Sequence, residues 1–438
     1  MPNSRTQTGS RSPVFFVVGL LLAVGAAIYL DGAAQVLQSS GSNKINLETP
    51  LELTLAPPTA LSEQDIKDAE IAWQYFVKNT EPETGFVNAV SGIPSSTLWD
   101  LGSYLMALVS AYRIEQISEQ EFDSRVENLL NSFARLELIE GKLPNKVYNT
   151  ITLTMVDYQN NSIENGIGWS ALDISRMLLA FRVLERHAPK YGVPIRDIIG
   201  KWDLSAMAVQ GELIGASVDG DSFQYLQEGR IGYEQYAARS AAMWGMDVAH
   251  AFSANRIIDW TTIEGVDVPI DLRNSASFQS ISPTLSEPYI LQGLEYGFDS
   301  ESRLLAEQVY LAQEARYLAT GIATMVSEDH INQPPYFLYS SIYSDGEAWA
   351  VLTESGDAYT DKRTLSLKAV FAWNAIFNTD YTNTLHQDIL VLASGVDGWP
   401  AGIYEIDQQV NDVYTLNTNA VILESLQYKL NGPLWQIN

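Results

Sequence analysis

The stretch QEGRIGYEQYAARSAAMWG, Gln227 to Gly245, contains a transition from a polar loop to a predicted helix, and the fold prediction starts from it. Its first half concentrates glycine, arginine, tyrosine and glutamate. Its second half carries four alanines at helical spacing: Ala237, Ala238, Ala241 and Ala242. These small residues favour a helix that packs closely against its neighbours. Binding residues accumulate on segments that a rigid scaffold positions, so the approach to this helix is a candidate site.

The composition limits the classes of function. The chain has 438 residues and no cysteine, which excludes disulfides, thiolate chemistry and cysteine-ligated metal sites. Its formal net charge of −27 argues against a nucleic-acid partner, because phosphate binding needs clustered lysine and arginine. The same charge suits a neutral or cationic ligand. The four histidines are scattered without metal-ligand spacing, so we predict neither a metal site nor a cofactor.

The N-terminal region predicts export. Residues 1–12 are polar and carry Arg5 and Arg11, and the uncharged segment PVFFVVGLLLAVGAAIYL follows from Pro13 to Leu30. A membrane-spanning helix needs roughly 17–25 apolar residues, whereas the core of a signal peptide has about 7–15. We therefore predict a cytoplasmic tail and transmembrane helix within 1–37, with a cleaved signal peptide as the alternative. The basic end stays inside, which predicts a periplasmic domain tethered to the bacterial inner membrane.

Helical periodicity dominates from Leu61 onward, after a predicted linker at 38–60. Short and long connections alternate between the helices, most clearly in the first half. Helices joined in this way form hairpins that close into a ring, so we predict an all-α toroid over 61–438. The segment 146–159 alternates in polarity and predicts one small β-hairpin. The predicted helices cover 62–79, 96–115, 118–136, 168–188, 193–209, 231–253, 286–297, 300–320, 345–355, 362–378, 383–393 and 415–430.

Carboxylates and aromatic residues recur where predicted helices follow long loops. One helix opens PSSTLWDLGSYL with Trp99 and Asp100, and another opens NGIGWSALDISRML with Trp169 and Asp173. Capping and the helix dipole alone explain any single acid in a first helical turn. The repeated pairing with tryptophan or tyrosine favours a sugar site, because aromatic faces stack on sugar rings and carboxylates bind hydroxyl groups.

Three carboxylates are candidate catalytic groups: Asp100, Glu228 and Glu234. Glycosidic cleavage uses two carboxyl groups, one as acid and one as base or nucleophile. Arg230 and a nearby helix N-terminus favour the ionised form of Glu228, so it suits the base or nucleophile. Asp100 or Glu234 suits the acid if its surroundings are apolar, and the sequence leaves this choice open. The predicted substrate-binding residues are Trp99, Tyr104, Asn145, Tyr158, Trp169, Asp173, Arg230, Tyr233, Glu287 and Trp399.

Several strings together resemble the DUF3131 family, a bacterial family named for unknown function. They are AWQYFVKNTEPETGFVNAVSGIPSSTLWDLGSYLMALVSA from Ala72, LPNKVYN, MVDYQN, GIGWSALDISRML and the stretch quoted at the start. That family is similar to the glycoamylase-like (α/α)6 proteins. This group includes endo-β-1,2-glucanases and the cyclising region of cyclic β-1,2-glucan synthases. The resemblance implies an (α/α)6 toroid and action on β-glucan-like chains.

The leading hypothesis is a membrane-tethered periplasmic glycoside hydrolase or transglycosylase. It would act on a glucan-type polysaccharide through a carboxylate pair at the toroid mouth. The alternative is a non-catalytic polysaccharide-binding or envelope-assembly protein with the same fold. A carboxylate pair across the cleft would favour the enzyme, and a single carboxylate would favour the binder. The expected partners are a polysaccharide or oligosaccharide and the inner membrane.

Overall fold

The computed structural model describes residues 44–219, 222–278, 280–391 and 397–435, and these ranges form twelve α-helices and eighteen short strands. The helices are α1 (Glu63–Asn79), α2 (Leu98–Arg113), α3 (Glu119–Phe133), α4 (Ala171–His187), α5 (Gly192–Ile199), α6 (Tyr233–Met243), α7 (Ser275–Phe278), α8 (Glu287–Leu291), α9 (Ser300–Thr320), α10 (Leu367–Phe377), α11 (Asp380–Leu390) and α12 (Leu416–Asn431). A π-helical segment, Gln292–Tyr296, continues α8.

The strands are short and lie in the connections between helices. They are β1 (Ser95–Thr97), β2 (Leu138–Ile139), β3 (Leu143–Pro144), β4 (Val147–Asn149), β5 (Met155–Val156), β6 (Ala208–Val209), β7 (Glu212–Asp219), β8 (Ser222–Gln227), β9 (Ile258–Ile263), β10 (Val266–Asp271), β11 (Glu328–His330), β12 (Phe337–Ser340), β13 (Tyr343–Ser344), β14 (Glu347–Ala348), β15 (Val351–Leu352), β16 (Thr364–Ser366), β17 (Pro400–Tyr404) and β18 (Val410–Tyr414).

Six helices form a closed inner ring. Helices α2, α4, α6, α8, α10 and α12 each pack against the next, and α12 packs against α2 to close the circle. Helices such as α2, α10 and α12 are buried on almost every face, as expected for elements that are covered on both sides. The chain therefore forms the predicted toroid, with its core between the inner helices and the layer around them.

The outer layer consists of five helices and one β-hairpin. Helix α1 packs on α12, α3 on α2, α9 on α8, and α11 on α10. Helix α5 packs on α3 and α4. Between α6 and α8 the outer element is the hairpin β9–β10, which is followed by the single-turn helix α7 and packs against α9. One of the six helical hairpins expected for an (α/α)6 toroid is thus partly replaced by β-structure.

The β-structure is more extensive than the all-α prediction with one hairpin. The predicted hairpin within 146–159 is present, because β4 pairs with β5. The described strands form seven small antiparallel sheets: β1-β4-β5, β2-β3, β6-β7-β8, β9-β10, β11-β12-β15, β13-β14 and β16-β17-β18. Most of these strands are two to six residues long, so they are too short to produce a clear alternating pattern in the sequence.

The predicted helix at 345–355 is wrong. Strands β13 and β14 form a hairpin there, and the residues between them are Asp345 and Gly346, at φ 48° and 97°. An Asp-Gly pair with two positive φ values is typical of the turn that joins antiparallel strands. This turn signal outweighs the acidic and aromatic residues around it.

Two other predicted helices are shorter than expected. The helix predicted over 231–253 ends at Met243, and Gly245 follows in the left-handed region at φ 81°, a common way to end a helix. The helix predicted over 193–209 ends at Ile199 and is followed by a 3-10 turn and β6. In α6, three of the four alanines are fully buried, which confirms close helix packing, whereas Ala242 is exposed.

Residues 44–60, the described part of the predicted linker, have no regular secondary structure but lie against the outer layer. The backbone N–H of Glu52 donates to Glu307 Oε1 at 2.5 Å, and Arg303 donates to the carbonyl of Leu53 at 2.8 Å. The predicted transmembrane segment, Pro13 to Leu30, lies outside the described residues. Among the residues that are described, no helix combines the length and apolar character needed to cross a bilayer.

Candidate functional site at the mouth of the inner ring

The first turns of the inner helices meet at one end of the ring. Asn417, at the start of α12, donates to Glu287 Oε1, at the start of α8, at 2.7 Å. Lys368, at the start of α10, forms an ion pair with the same carboxylate. Trp99 of α2 contacts Tyr233 of α6 edge to face, with ring centroids 5.8 Å apart. These contacts join the first turns of five of the six inner helices, and we call the surface that they define the rim.

Lys368 and Glu287 form a buried ion pair at the rim, with side chains that are 3% and 0% exposed. Lys368 Nζ also donates to the carbonyl oxygen of Glu328 at 2.6 Å and lies 3.6 Å from Asp329 Oδ1. Burial opposes the charged ammonium, but the negative charges of Glu287 and Asp329 outweigh it and raise the pKa of Lys368. The rim therefore holds a fixed positive charge among several acids.

Glu328, on β11, is the rim carboxyl group best suited to donate a proton. Tyr233 Oη donates a hydrogen bond to its Oε1. Its Oε2 is buried and has no hydrogen-bond partner among the described residues. Burial, followed by the negative charge of Glu287, raises the pKa of Glu328 to about 8. The group therefore keeps its proton at neutral pH, as a general acid must.

Asp100 is partly exposed in the first turn of α2. Its Oδ2 accepts hydrogen bonds from Thr97 Oγ1 at 2.6 Å and Thr97 N at 3.3 Å, and Thr97 Oγ1 accepts from Asp100 N. This is a capping box, which explains locally why an acid follows the threonine. Burial and then the charge of Glu287 raise the pKa of Asp100, whereas the positive charge of Arg176 opposes the rise. Within the described residues these hydrogen bonds use only one carboxylate oxygen.

Asp173 and Glu228 form a second acidic pair, at the N-terminus of α4. Ser170 Oγ donates to Asp173 Oδ1 at 3.1 Å, and the backbone N–H of Ala171 donates to Glu228 Oε2 at 2.5 Å. Burial, followed by the charge of Glu228, raises the pKa of Asp173 to about 7. Tyr158 lies within electrostatic range of both acids and is 64% exposed. This pair and Tyr158 extend the rim to one side of Asp100.

The structure does not pair Glu228 with Arg230. Arg230 donates instead to Gln227 Oε1 at 3.0 Å and to the carbonyl of Gly229 at 2.7 Å. Glu228 does cap a helix, but the helix is α4, through Ala171, and burial raises the pKa of Glu228. The prediction that Arg230 holds Glu228 ionised is therefore corrected, and Arg230 is a loop-stabilising residue.

Glu234, predicted as a catalytic carboxylate, lies in the wall of the toroid. Its side chain is 2% exposed and accepts from Arg273 at 2.6 Å and from Gln227 at 3.0 Å. Arg273 also binds Asp271 of β10 at 2.8 Å, so the cluster joins the start of α6 to the outer hairpin. Removing one member of a buried ion pair leaves an uncompensated charge. We therefore assign Glu234 to fold stability and correct the catalytic prediction.

Five predicted sugar-binding residues have side chains that are not exposed to solvent: Glu287, in its ion pair with Lys368 at the rim, and four residues of the core. The indole N–H groups of Trp169 and Trp399 donate to backbone carbonyls at 3.2 and 3.0 Å, respectively. The side-chain amide of Asn145 donates to the carbonyl of Val147 at 2.6 Å. The ring of Tyr104 stacks on the ring of Phe76, with centroids 5.5 Å apart. The four core residues shape the loops and helices beneath the rim and are not available to a sugar in this structure. They are Tyr104, Asn145, Trp169 and Trp399.

The structure brings seven of the predicted site residues together at the rim: Trp99, Asp100, Tyr158, Asp173, Glu228, Tyr233 and Glu287. The sequence reasoning missed Glu328, Asp329, Lys368 and Asn417. One signal for Lys368 was available, because α10 contains no other charged residue. A cation is also unfavourable in a first helical turn, where the helix dipole is positive. A lysine in that position therefore indicates a compensating acid, which proves to be Glu287.

A sequence model of the family described as "Protein of unknown function (DUF3131)" matches residues 67–432. The match spans all six inner helices and every rim residue named above. A comparison with functionally curated proteins gives no significant match.

Solved structures with similar folds include glucan-active enzymes. A Bacteroides fragilis NCTC 9343 protein, provisionally described as a glucoamylase, has a TM-score of 0.63 and 11% identity, over 87% of this chain and 94% of its own. The Chitinophaga pinensis endo-β-1,2-glucanase, in complex with sophorotriose and glucose, has a TM-score of 0.60 and 13% identity, over 86% and 94%. A Talaromyces funiculosus endo-β-1,2-glucanase with bound β-1,2-glucan has a TM-score of 0.55 and 12% identity. The match covers 85% of this chain and 84% of the glucanase. At these identities the similarity establishes a shared fold.

Proposed function

We propose that this chain, which belongs to the DUF3131 family and has the glucoamylase-like fold, is a glycoside hydrolase or transglycosylase that acts on a glucan at the rim. One observation carries the proposal: separate elements bring Asp100, Asp173, Glu228 and Glu328 to the rim, and each is only partly buried. A polysaccharide-binding site needs hydroxyl-binding acids, but cleavage needs two carboxyl groups with different protonation states. The rim offers both.

Glu328 is the proposed acid. Its pKa of about 8 keeps the proton in place at neutral pH, and the hydrogen bond from Tyr233 to Oε1 fixes the orientation of the carboxyl group. In the reaction the proton moves to the glycosidic oxygen as the bond from that oxygen to the anomeric carbon breaks. Lys368 stays ionised beside Glu287 and offsets the negative charge that Glu328 acquires.

Asp100 is the proposed partner carboxylate. Burial and the charge of Glu287 raise the pKa of Asp100, whereas two hydrogen bonds from Thr97 and the positive charge of Arg176 oppose this rise and favour the ionised form. Its role is to assist attack on the anomeric carbon, by water in hydrolysis or by a sugar hydroxyl in transglycosylation. Trp99 and Tyr233 form the aromatic floor beside it, and Tyr158 is the exposed ring at the other side.

The test incubates the protein with a panel of β-1,2-, β-1,3-, β-1,4- and α-1,4-linked glucans. Hydrolysis is measured as the release of reducing ends. The β-1,2-linked polymer comes first because two of the similar structures are endo-β-1,2-glucanases. The variants are Glu328→Gln and Asp100→Asn, with Glu127→Gln as the control because Glu127 is an exposed residue on the outer helix α3. Full activity in both rim variants would remove the assignment. Binding without turnover in the wild type would instead support the non-catalytic binder.

We also propose that the segment from Pro13 to Leu30 tethers this domain to the bacterial inner membrane with the toroid in the periplasm. The support is the length and lack of charge of the segment, together with the arginines that precede it. Fractionation of cells that express the whole chain tests this proposal. The protein should stay with the membrane after a high-salt wash, and a variant that begins at residue 38 should not.

A further inference from the structure

Arg176 of α4 lies on the axis of the toroid, directly beneath the rim. Its side chain is fully buried and contacts residues from four other inner-ring segments. It donates to Ser103 of α2 at 2.9 Å, to Tyr236 of α6 at 2.8 Å and to Glu295, in the π-helical segment after α8, at 2.7 Å. Glu424 of α12 lies 3.5 Å away. A side chain that reaches most of the ring can set the positions of several helices at once.

The charges in this cluster almost balance. Arg176 is surrounded by two fully buried carboxyl groups, Glu295 and Glu424, and Tyr236 Oη also donates to Glu295. Burial, followed by the charge of Glu295, raises the pKa of Glu424 well above its usual range. One guanidinium, one carboxylate and one neutral carboxylic acid together have no net charge. Such a cluster avoids most of the cost of a buried uncompensated ion.

A path of polar contacts leads from Arg176 to the rim. Arg176 Nε donates to Ser103 Oγ, whose single proton is shared between the carbonyl of Trp99 at 3.0 Å and Asn417 Oδ1 at 3.2 Å. Asn417 Nδ2 donates in turn to Glu287 Oε1 at 2.7 Å. The carboxylate of Glu287 can only accept, so it fixes the amide with Nδ2 toward itself and Oδ1 toward the serine. Lys368 then binds Glu287 on the other side.

Arg176 also supports the aromatic floor. Its guanidinium carbon lies 4.8 Å from the centroid of the Trp99 ring, within range of a cation–π interaction. Trp99 in turn contacts the rings of Tyr233 and Tyr236. The same buried cation therefore orients the proposed sugar platform and, through Ser103, the amide that holds Glu287.

We propose that Arg176 and Ser103 are positioning residues: they hold Trp99 for sugar binding and the Asn417–Glu287–Lys368 cluster for the chemical step. This inference rests on the proposed function for its kinetic consequences but not for its structural ones. It predicts two separate defects. Loss of the Ser103 hydroxyl disturbs the charged cluster, whereas a change at Arg176 disturbs the ring of Trp99.

The test compares Ser103→Ala with Ser110→Ala. Ser110 is a matched control, because it is also fully buried in α2 and its hydroxyl has no hydrogen-bond partner among the described residues. On the glucan that the wild type cleaves, Ser103→Ala should lower kcat about tenfold with little change in KM, the effect of losing about one hydrogen bond in the transition state. Ser110→Ala should match the wild type. Equal kcat values in the two variants would overturn the proposal.

Arg176→Lys supplies the second arm. Lysine keeps the charge that Glu295 requires but lacks the planar group over Trp99 and the Nε–H that binds Ser103. We expect KM to rise about tenfold and kcat to fall as in Ser103→Ala. An unchanged KM would refute the proposed support of Trp99.

Crystal structures of the ligand-free variants separate failure of this inference from failure of the proposed function. The inference predicts that the amide of Asn417 rotates or shifts in Ser103→Ala and that the Trp99 ring moves in Arg176→Lys. If both groups keep their wild-type positions, the inference is wrong whatever the wild type hydrolyses. If they move but the wild type cleaves no glucan, the proposed function fails and the positioning role stands.

Discussion

Replacing Glu328 by glutamine should remove activity and at the same time stabilise the fold. A carboxyl group with a pKa of about 8 in the folded protein must take up a proton on folding at pH 7. From its usual value of 4.5, this uptake costs up to about 3 kcal/mol at pH 7. Glutamine is already neutral and can still accept the hydrogen bond from Tyr233. After allowance for partial solvent screening, we expect Glu328→Gln to raise the free energy of unfolding by about 1–3 kcal/mol.

The size of this stabilisation depends on pH. The folded-state pKa of Glu328 is raised, so its destabilising contribution is absent below about pH 4.5 and grows as the pH rises towards about 8. Glu328→Gln and the wild type should therefore be equally stable at pH 4 and differ most near pH 8. Urea unfolding, followed by circular dichroism at both pH values, measures the difference, with Glu127→Gln as the control. A variant that is less stable than the wild type at both pH values would refute the reasoning.

The kinetic half of the same prediction uses the same group. Loss of a general acid typically costs about 100- to 10,000-fold in kcat. Wild-type kcat should fall as the pH rises through about 8, because Glu328 then loses the proton that it must donate. In Glu328→Gln this alkaline limb should disappear along with most of the activity. An unchanged alkaline limb in the variant would assign the titration to another group.

Three further predictions follow from the packing and charge. Gly232→Ala should lower the free energy of unfolding by about 2 kcal/mol or more by calorimetry, because Gly232 has φ 89° and an added Cβ would lie 2.7 Å from Pro288 Cγ. Trp399→Phe should lower the midpoint of thermal unfolding and leave KM unchanged, because the Trp399 indole donates to the backbone of Asp68 in the core. Trp99→Ala should raise KM, because Trp99 lies at the rim. Carboxymethylated glucan should be cleaved more slowly than the neutral polymer at low salt, and added salt should narrow the gap, because the chain carries a net charge of −27.

The sequence was sufficient to predict the toroid because most of its helices show apolar periodicity and are joined by connections that alternate between short and long. In the structure, Thr97 with Asp100 caps α2 and Ser170 with Asp173 caps α4, whereas α8 and α10 have no side-chain cap. The β-structure of the loops could not be predicted in the same way, because strands of two or three residues have no period. The Asp345-Gly346 turn is the exception that a closer reading of turn chemistry would have found.

The site was harder to predict than the fold, because burial cannot be read from a local pattern. Trp99 and Trp399 both lie among polar residues near a predicted loop, yet one is at the rim and the other is enclosed in the core. Glu328 and Lys368 are 40 positions apart, and they meet only because the chain returns to the ring. Glu234 is adjacent to Tyr233 in sequence but points into the opposite wall, where Arg273 neutralises it.

The axial position of Arg176 has a consequence for how the molecule is made. Of its two carboxyl partners, Glu295 comes from the segment after α8 and Glu424 from α12, so the cluster around the guanidinium is incomplete until residues 416–431 have left the ribosome. Helix α12 also completes the ring, between α10 and α2. The inner ring and its rim are therefore incomplete at every earlier stage of synthesis. The proposed cleavage of a polymer therefore cannot begin before the whole domain has been made.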